Sequence, residues 1–377
     1  MQTATFTQTR PLTIDVHPVA GDRRAFDRLT SVVLSQAEKE LAVTPDQIAP
    51  LEPRLMATHF HPERVPLELI QQRLSRAFPA ATDSLVIPTQ HNQIMTMDQW
   101  AGVEADAYSP DYGEKIHLLF HFKASSLPKA GTFLSMMERT FRYRALQLLE
   151  IMEALTNPDQ STTSQVKKNG LDNYALGLAG SFAARLSKLI DDPNIFDSSR
   201  VPMLKNRLLT DFMAECSGNI EQAQLDQALS VVSVVKGIVK KRFDPNRFHT
   251  VHEVIEEARS FGAGVVIPHP PLFWPVLLDD LDIDGWEVWN PSTPNHTRFL
   301  IDCLGRIKER KRKLLAFMGD DTHMSSKIRP EMGGKKNNQN REIGFQPPWC
   351  DPQVAAALAA LGQSRERTMD EYRARLA

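Results

Sequence analysis

Long apolar runs are the first thing this sequence lacks. No stretch reaches the roughly 18 uncharged apolar residues that a membrane-crossing helix needs, and the opening MQTATFTQTRPLTIDVHP carries no apolar signal core. Cysteine is scarce: Cys216, Cys303 and Cys350 are widely spaced and odd in number. They offer neither a disulfide frame nor a Cys-based zinc site, and they fit a reducing compartment. An excess of either charge is also lacking. With 44 Lys+Arg against 46 Asp+Glu, the net charge of −2 argues against a dedicated nucleic-acid scaffold, although local basic patches are compatible with it. There is no internal repeat and no Gly-x-Ser-x-Gly nucleophile elbow. Gly333-Gly334-Lys335-Lys336 does not have the spacing of a phosphate loop and no strand leads into it, so it reads as a solvated loop. The basic run 308–313 ends an expected helix, where cations suit the dipole. These absences leave a cytoplasmic protein with no membrane partner as the expectation, its oligomeric state open.

Histidine is what the sequence has. The chain carries 11 histidines, and several sit where short apolar runs end. In Leu55-Met56-Ala57-Thr58-His59-Phe60-His61-Pro62-Glu63 a strand would put His59 and His61 on one face, and Pro62 would end it. Two imidazoles on one face at a strand tip make half of a transition-metal site. Near the other end, Gly319-Asp320-Asp321-Thr322-His323 repeats the pattern with Asp321 and His323 two apart. Between them, His91 follows the apolar run 84–88, and Glu104 ends a short extended piece. His117 and His121 share a face of 115–122, and His269 follows the run 263–267. The set His59, His61, His91, Glu104, His117, His269, Asp321 and His323 supplies N and O ligands of the kind that hold Zn, Mn or Fe. A carboxylate shared between ions would let two or three cations sit close together. His17, His249, His252 and His296 read as surface or loop residues.

The strand signals alternate with helical ones. Helices are expected over 27–42, 66–78, 132–156, 251–261, 297–314 and 351–362, and a long, mainly helical block occupies 160–260. About seven short strands with helices between them suggest a parallel, barrel-like sheet, in which reactive groups gather at the C-terminal strand ends. The expected organisation is a lead-in over 1–54, a barrel built from 55–159 and 261–362, a helical insertion or cap over 160–260, and a helical tail over 363–377.

The ordered set His-x-His, Thr-x-His-Asn, Gly-Val-Glu, His-Leu-Leu, Pro-His-Pro, Glu-Val-x-Asn and Gly-x-Asp-x-His resembles the polymerase-and-histidinol-phosphatase (PHP) superfamily over about residues 55–361. The resemblance implies an α/β fold, a distorted seven-stranded β/α (TIM-like) barrel with a mainly helical insertion. It also implies a centre of two or three divalent metal ions (Zn, Mn or Fe) that hydrolyses phosphate esters. Carried over position by position, His59 and His61 would hold one ion with Glu104 and Asp321. His91 and His323 would serve a second, and His117 and His269 a third, with Glu104 bridging. Glu287 and Asn290 match Glu-Val-x-Asn as supporting structure.

The sequence departs from the pattern in three places. The loop after His-x-His is short and offers only Glu63 as an acidic ligand. Gln90 stands where a carboxylate is usual, and Asp320 adds a negative charge before Asp321.

The activity expected from this is a metal-dependent phosphatase acting on a nucleotide or small phosphorylated metabolite. Glu104, Asp321 and His323 would be catalytic, and Lys123 and Arg144 would bind the phosphate. Two other readings stay open: a nuclease on oligonucleotide ends using the basic segments near Lys311 and Lys335, and a non-catalytic interaction module. A near-neutral chain favours a small substrate over a polynucleotide.

Overall fold

The computed structural model describes residues 16–218, 220–242, 244–307, 313–329 and 341–376. The basic run 308–313, apart from Lys313, and the Gly333–Lys336 loop with Lys335 lie outside them. The chain divides into two compact units, one of residues 1–32 with 143–243 and the other of 33–142 with 244–377. No described helix is long and apolar enough to cross a membrane.

The first unit is helical. It comprises α1 (Ala20–Thr30), the later part of α4 (Gly131–Thr156), α5 (Gln160–Lys168), α6 (Asn173–Asp191), α7 (Arg207–Cys216) and α8 (Gln222–Lys241). Asp159 and Asp172 start α5 and α6 as N-caps, each side chain accepting a backbone N–H. Helix α6 packs on α7 and α8, with Phe182 edge-on to Phe212 of α7 and Leu178 and Leu186 buried. Asp22 of α1, itself buried, pairs with Arg185 of α6.

The second unit holds the strands and is mixed α/β. Its elements begin with α2 (Gln36–Val43), β1 (Arg54–Ala57), β2 (Phe60–His61), α3 (Leu67–Ala77), β3 (Asp83–Val86) and β4 (Met95–Met97). The long hairpin of β5 (Trp100–Ser109) and β6 (Glu114–Lys123) follows, then α9 (Val251–Ser260), β7 (Gly264–Ile267) and β8 (Gly285–Trp289). The chain ends with α10 (Thr297–Arg306), β9 (Leu315–Met318), β10 (Thr322–His323), α11 (Met324–Ile328), α12 (Pro352–Ala360) and α13 (Arg365–Arg375). Two expected helices are corrected: 27–42 is broken at Ser31–Ser35 into α1 and α2, and α10 ends at Arg306.

The described strands form one six-stranded sheet, in the order β4-β5-β6-β7-β8-β9, and two parallel pairs, β1·β3 and β2·β10. No closed barrel ladder is present among them. Single contacts span the gaps: an isolated parallel bridge joins His91 to Glu104, and Gln346 Nε2 donates to both Met56 O of β1 and Met318 O of β9.

The expectation of a parallel sheet is corrected too. β7, β8 and β9 are parallel, but β6 runs against both β5 and β7. The cause is local, because a connection as short as residues 110–113 can join two strands only as a hairpin.

Side chains alternate along these strands, and one set of positions packs inward. Met56, Leu85, Leu119, Val266 and Phe317 form a buried cluster with Met369 and Tyr372 of α13. On β6 the period of two puts His117, Leu119 and His121 on this face. His121 lies at the α13 end, where its ring contacts Tyr372 Oη at 2.8 Å and Thr58 O at 2.9 Å. Burial holds its pKa down to about 3. A folded-state value below the ordinary one means that the unfolded chain takes up a proton that the folded chain refuses. The contribution is therefore complete above pH 6.5 and is lost as the pH falls below it, by about 2 kcal/mol at pH 5. Denaturant unfolding at pH 7.5 and pH 5 is expected to show the wild type losing about 2 kcal/mol more than His121→Gln over that interval. Equal losses would contradict this role.

Candidate metal centre

Backbone pairing at one end of the second unit brings distant histidines together. β2 and β10 pair in register, so His61 lies opposite His323, and Asp321 N–H donates to His59 O at 2.8 Å. The bridge between His91 and Glu104 sets that imidazole beside the carboxylate, and the hairpin register places His117 opposite Asp106. Because β6 is reversed, its N-terminal half reaches the end where the parallel strands finish. His269 leaves β7 with its backbone N–H on Glu287 Oε2 at 2.8 Å.

The side chains converge on Glu104. Its Oε1 lies 2.8 Å from His117 Nδ1, 3.5 Å from His269 Nε2 and 3.9 Å from His59 Nε2. Its Oε2 lies 2.7 Å from His91 Nδ1 and 3.5 Å from His61 Nε2. Asp321 Oδ1 stands 3.3 Å from His61 Nε2, 3.6 Å from His59 Nε2 and 3.5 Å from His323 Nε2. The rings of His61 and His91 stack at 4.4 Å, and those of His61 and His323 at 4.2 Å.

Few of these atoms are satisfied. Both oxygens of Glu104, both nitrogens of His61, His59 Nε2, His117 Nδ1 and His269 Nδ1 are buried without an aligned hydrogen bond. Buried polar atoms normally find partners, and orphans in one place call for an ion or a catalytic role. Ligand atoms close enough to share an ion occur in the sets His59/His61/Asp321, His59/Glu104/His269 and His61/His91/His323. The donor set of imidazole and carboxylate suits divalent Zn, Mn or Fe, so these residues fit the metals that the sequence called for.

Three of the candidate ligand histidines have carboxylates behind them. His59 Nδ1 contacts Glu287 Oε1 at 2.6 Å, leaving Nε2 to face Glu104 and Asp321. His117 Nε2 contacts Asp106 Oδ1 at 3.1 Å, leaving Nδ1 toward Glu104. His323 Nδ1 faces Glu63 Oε1 at 3.6 Å, leaving Nε2 toward Asp321. Such partners fix the tautomer and the orientation of a metal-binding ring. Asp106, His91 and His117 also cluster, but Asp106 is already engaged by Asn92 Nδ2 at 2.9 Å and Lys115 Nζ at 2.8 Å. We read Asp106 as the orienting partner of His117.

Electrostatics agree with a site that exchanges protons for cations. Burial would raise Glu104, yet His91 and His117 hold its carboxyl well below the usual carboxylate range. Burial acts the same way on Asp321, and His59 holds it down. Burial would lower His59, but Glu287 and Asp321 raise it to about 10. In the same way Glu104 raises His117, and Asp321 and Glu63 raise His323, each to about 9. His61 goes the other way, pushed well below its ordinary value by burial and by its neighbours His323 and His91. Without a cation, imidazolium protons balance the buried carboxylates. Metal uptake would release them, so affinity would rise with pH.

The backbone is bent to fit. Four of the five described non-glycine residues with positive φ are Glu63, Asn92, His269 and Asp321, all in or beside the centre. Strained backbone of this kind concentrates at functional sites.

Several sequence-based expectations need correction. Glu63 is not in the converging set, since its Oε2 accepts Ser325 N–H at 2.7 Å and its Oε1 faces the far side of His323. Gln90 is no bare loss of a carboxylate: its Oε1 accepts Glu63 N–H at 3.1 Å and holds that turn. Asp320 accepts the N–H groups of Thr322 and Gly344, and burial lifts its pKa to about 7, so its carboxyl group pins backbone. Lys123 stands six residues along β6 from His117, roughly 20 Å away, and pairs with Trp100 at the other end of the hairpin. It is not brought to the centre. Arg144 falls on α4, and its side chain lies outside the described residues.

No protein family's sequence profile matches the chain, and no curated protein is similar to it. Among solved structures the chain is similar to one from Bifidobacterium adolescentis described as a "putative metal-dependent phosphoesterase". The identity is 14%, covering 80% of this chain and 93% of that one, with a TM-score of 0.41. A likeness of this size carries no conclusion about activity.

Proposed function

We propose that this chain is a metal-dependent phosphoester hydrolase of the PHP kind, its centre mounted on a distorted barrel whose strand ladder is interrupted. The observation that carries the reading is the convergence of five imidazoles on the buried carboxylate of Glu104, with both of its oxygens lacking aligned hydrogen bonds. His59, His61, Glu104 and Asp321 would hold one divalent ion, Glu104, His117 and His269 a second, and His91 with His323 a third. Ions so placed supply Lewis-acid stabilisation of phosphoryl charge and lower the pKa of a water.

The chain's own residues set the geometry. Glu104 would be common to two of these ions, and Glu287, Asp106 and Glu63 aim the imidazoles. The side chains of His91, His117 and His323 are 17, 23 and 27% exposed, whereas His59 and His61 are fully buried. An incoming phosphate would therefore meet the first three. Asp321 and His323 would act at this open side. A small phosphorylated metabolite or nucleotide suits such a recessed centre.

The test is a panel of phosphate esters, from p-nitrophenyl phosphate to nucleotides and oligonucleotides, offered to Mn2+-loaded protein. Turnover of a monoester is expected, and His61→Ala and Asp321→Ala are each expected to reduce it at least about 100-fold, the loss of several kcal/mol of transition-state stabilisation. Metal-loaded protein that turns over no phosphoester would refute the proposal.

A further inference from the structure

We propose that Arg341 is a positioning residue of the metal centre: its guanidinium fixes Asp321 so that one carboxylate oxygen is presented to the ions. This rests on reading the cluster as a metal centre.

Arg341 is buried. Its Nη1 donates to the backbone oxygen of Asp321 at 2.8 Å and to Oδ2 at 2.7 Å, and its Nη2 donates to Ser292 Oγ at 2.9 Å. The division of the carboxylate is clean. Oδ2 accepts from Arg341 Nη1 and, at 3.4 Å, from Ser292 Oγ, while Oδ1 faces His59, His61 and His323. Asp321 has φ +49°, a left-handed conformation that aspartate takes more readily than most residues but that still benefits from being held. The hydrogen bond to its carbonyl helps to hold it.

The contact belongs to a longer arrangement. Ser292 N–H donates to Asn290 Oδ1 at 2.8 Å, and Asn290 Nδ2 donates to Glu287 Oε2 at 2.9 Å. Glu287 in turn holds His59. One polar chain therefore runs from Arg341 to the partners of two ligands, Asp321 and His59.

The segment that carries Arg341 is anchored at nearly every step. Glu342 pairs with the buried Arg73 at 2.6 and 2.7 Å, Gly344 N–H reaches Asp320, and Gln346 bridges β1 and β9. Residues 341–346 thus strap the place where the strand ladder is open, and Arg341 is the point at which the strap touches a ligand.

A structural role and a positioning role predict different results, so the test compares two neighbours. Mn2+ binding is measured by titration on the full chain, and unfolding is followed in chelator. Arg341→Gln is expected to raise the Mn2+ dissociation constant roughly 10–100-fold. Arg341→Lys keeps the charge without the fork, and a smaller rise is expected. Glu342→Gln strips Arg73 of its carboxylate and is expected to lower Tm by about 10 °C while raising the Mn2+ constant by much less than Arg341→Gln does, since its carboxylate meets Arg73 and backbone N–H groups but no ligand or orienting group. Wild-type affinity in Arg341→Gln would overturn the proposal, as would an equal loss of affinity in Glu342→Gln. Wild-type protein that binds Mn2+ and shows the Arg341 effect, yet hydrolyses no phosphoester, would uphold this role and sink only the proposed activity. Wild-type protein that binds no Mn2+ would sink both.

Discussion

Replacing Glu104 by glutamine is expected to weaken divalent-metal binding by at least about 1,000-fold, or roughly 4 kcal/mol at 1.36 kcal/mol per factor of ten, and to abolish any metal-dependent turnover. The substitution keeps the shape and removes the charge. Glu104 lies within 3.9 Å of His59, His61, His91, His117 and His269, so no other described side chain is common to so many of the candidate ligands. A neutral amide would also turn N–H donors toward ring nitrogens that must be free to bind a cation. The fold should survive, because imidazoles that lose their anion can shed a proton, whereas a buried guanidinium cannot. Isothermal titration with Mn2+, alongside thermal unfolding in chelator, separates the two effects. A Glu104→Gln protein that binds Mn2+ within tenfold of the wild type would contradict its place as the shared ligand.

The second large effect is expected at a residue that binds nothing. A Cβ on Gly319 would lie 1.8 Å from Glu287 Oε1. Glu287 is buried and cannot simply swing away, because its carboxylate holds His59 Nδ1, the His269 backbone N–H and Asn290 Nδ2. Gly319→Ala should cost about 3 kcal/mol of stability through overpacking and broken buried hydrogen bonds, and about 10–100-fold in metal affinity through the freed His59 ring. The cause can be isolated by a cycle with Glu287→Ala, which removes the obstructing carboxylate. The double variant should be about as stable as Glu287→Ala alone. Additive losses would place the strain elsewhere.

Much of the centre was legible before any coordinates. His-x-His and Asp-x-His mark residues that do meet, but not by alternation along one strand: only His61 and His323 lie in β2 and β10, while His59 and Asp321 stand just before them in irregular backbone, Asp321 with φ +49°. What failed was whatever depended on partners far along the chain. Asp106 continues the period of two from Glu104, and β5 runs on to Ser109 where a short extended piece ending at Glu104 is expected. The period itself would have found it.

The expectation that reactive groups follow strand ends placed Lys123 near the centre, whereas the reversal of β6 sends it to the opposite end. The short link at 110–113 was the available signal. Arg341 carries no sequence signal of its role, and only tertiary contact reveals its bond to Asp321. Glu63 and Asp320 were judged by charge alone, while their surroundings make one a buttress of His323 and the other a pin for backbone N–H groups. The gap in the strand ladder could not be foreseen either, since it is spanned by Gln346, which reaches Met56 of β1, 290 residues away, as well as Met318 of β9.

The most direct measurement is anomalous diffraction from crystals soaked in Zn2+. Two or more zinc peaks should lie about 2.0–2.2 Å from ring nitrogens and carboxylate oxygens, one of them touching both Glu104 and His59 or His61. No peak among these residues, or zinc bound only at the surface group of Asp111, His252 and Asp279, would contradict the account.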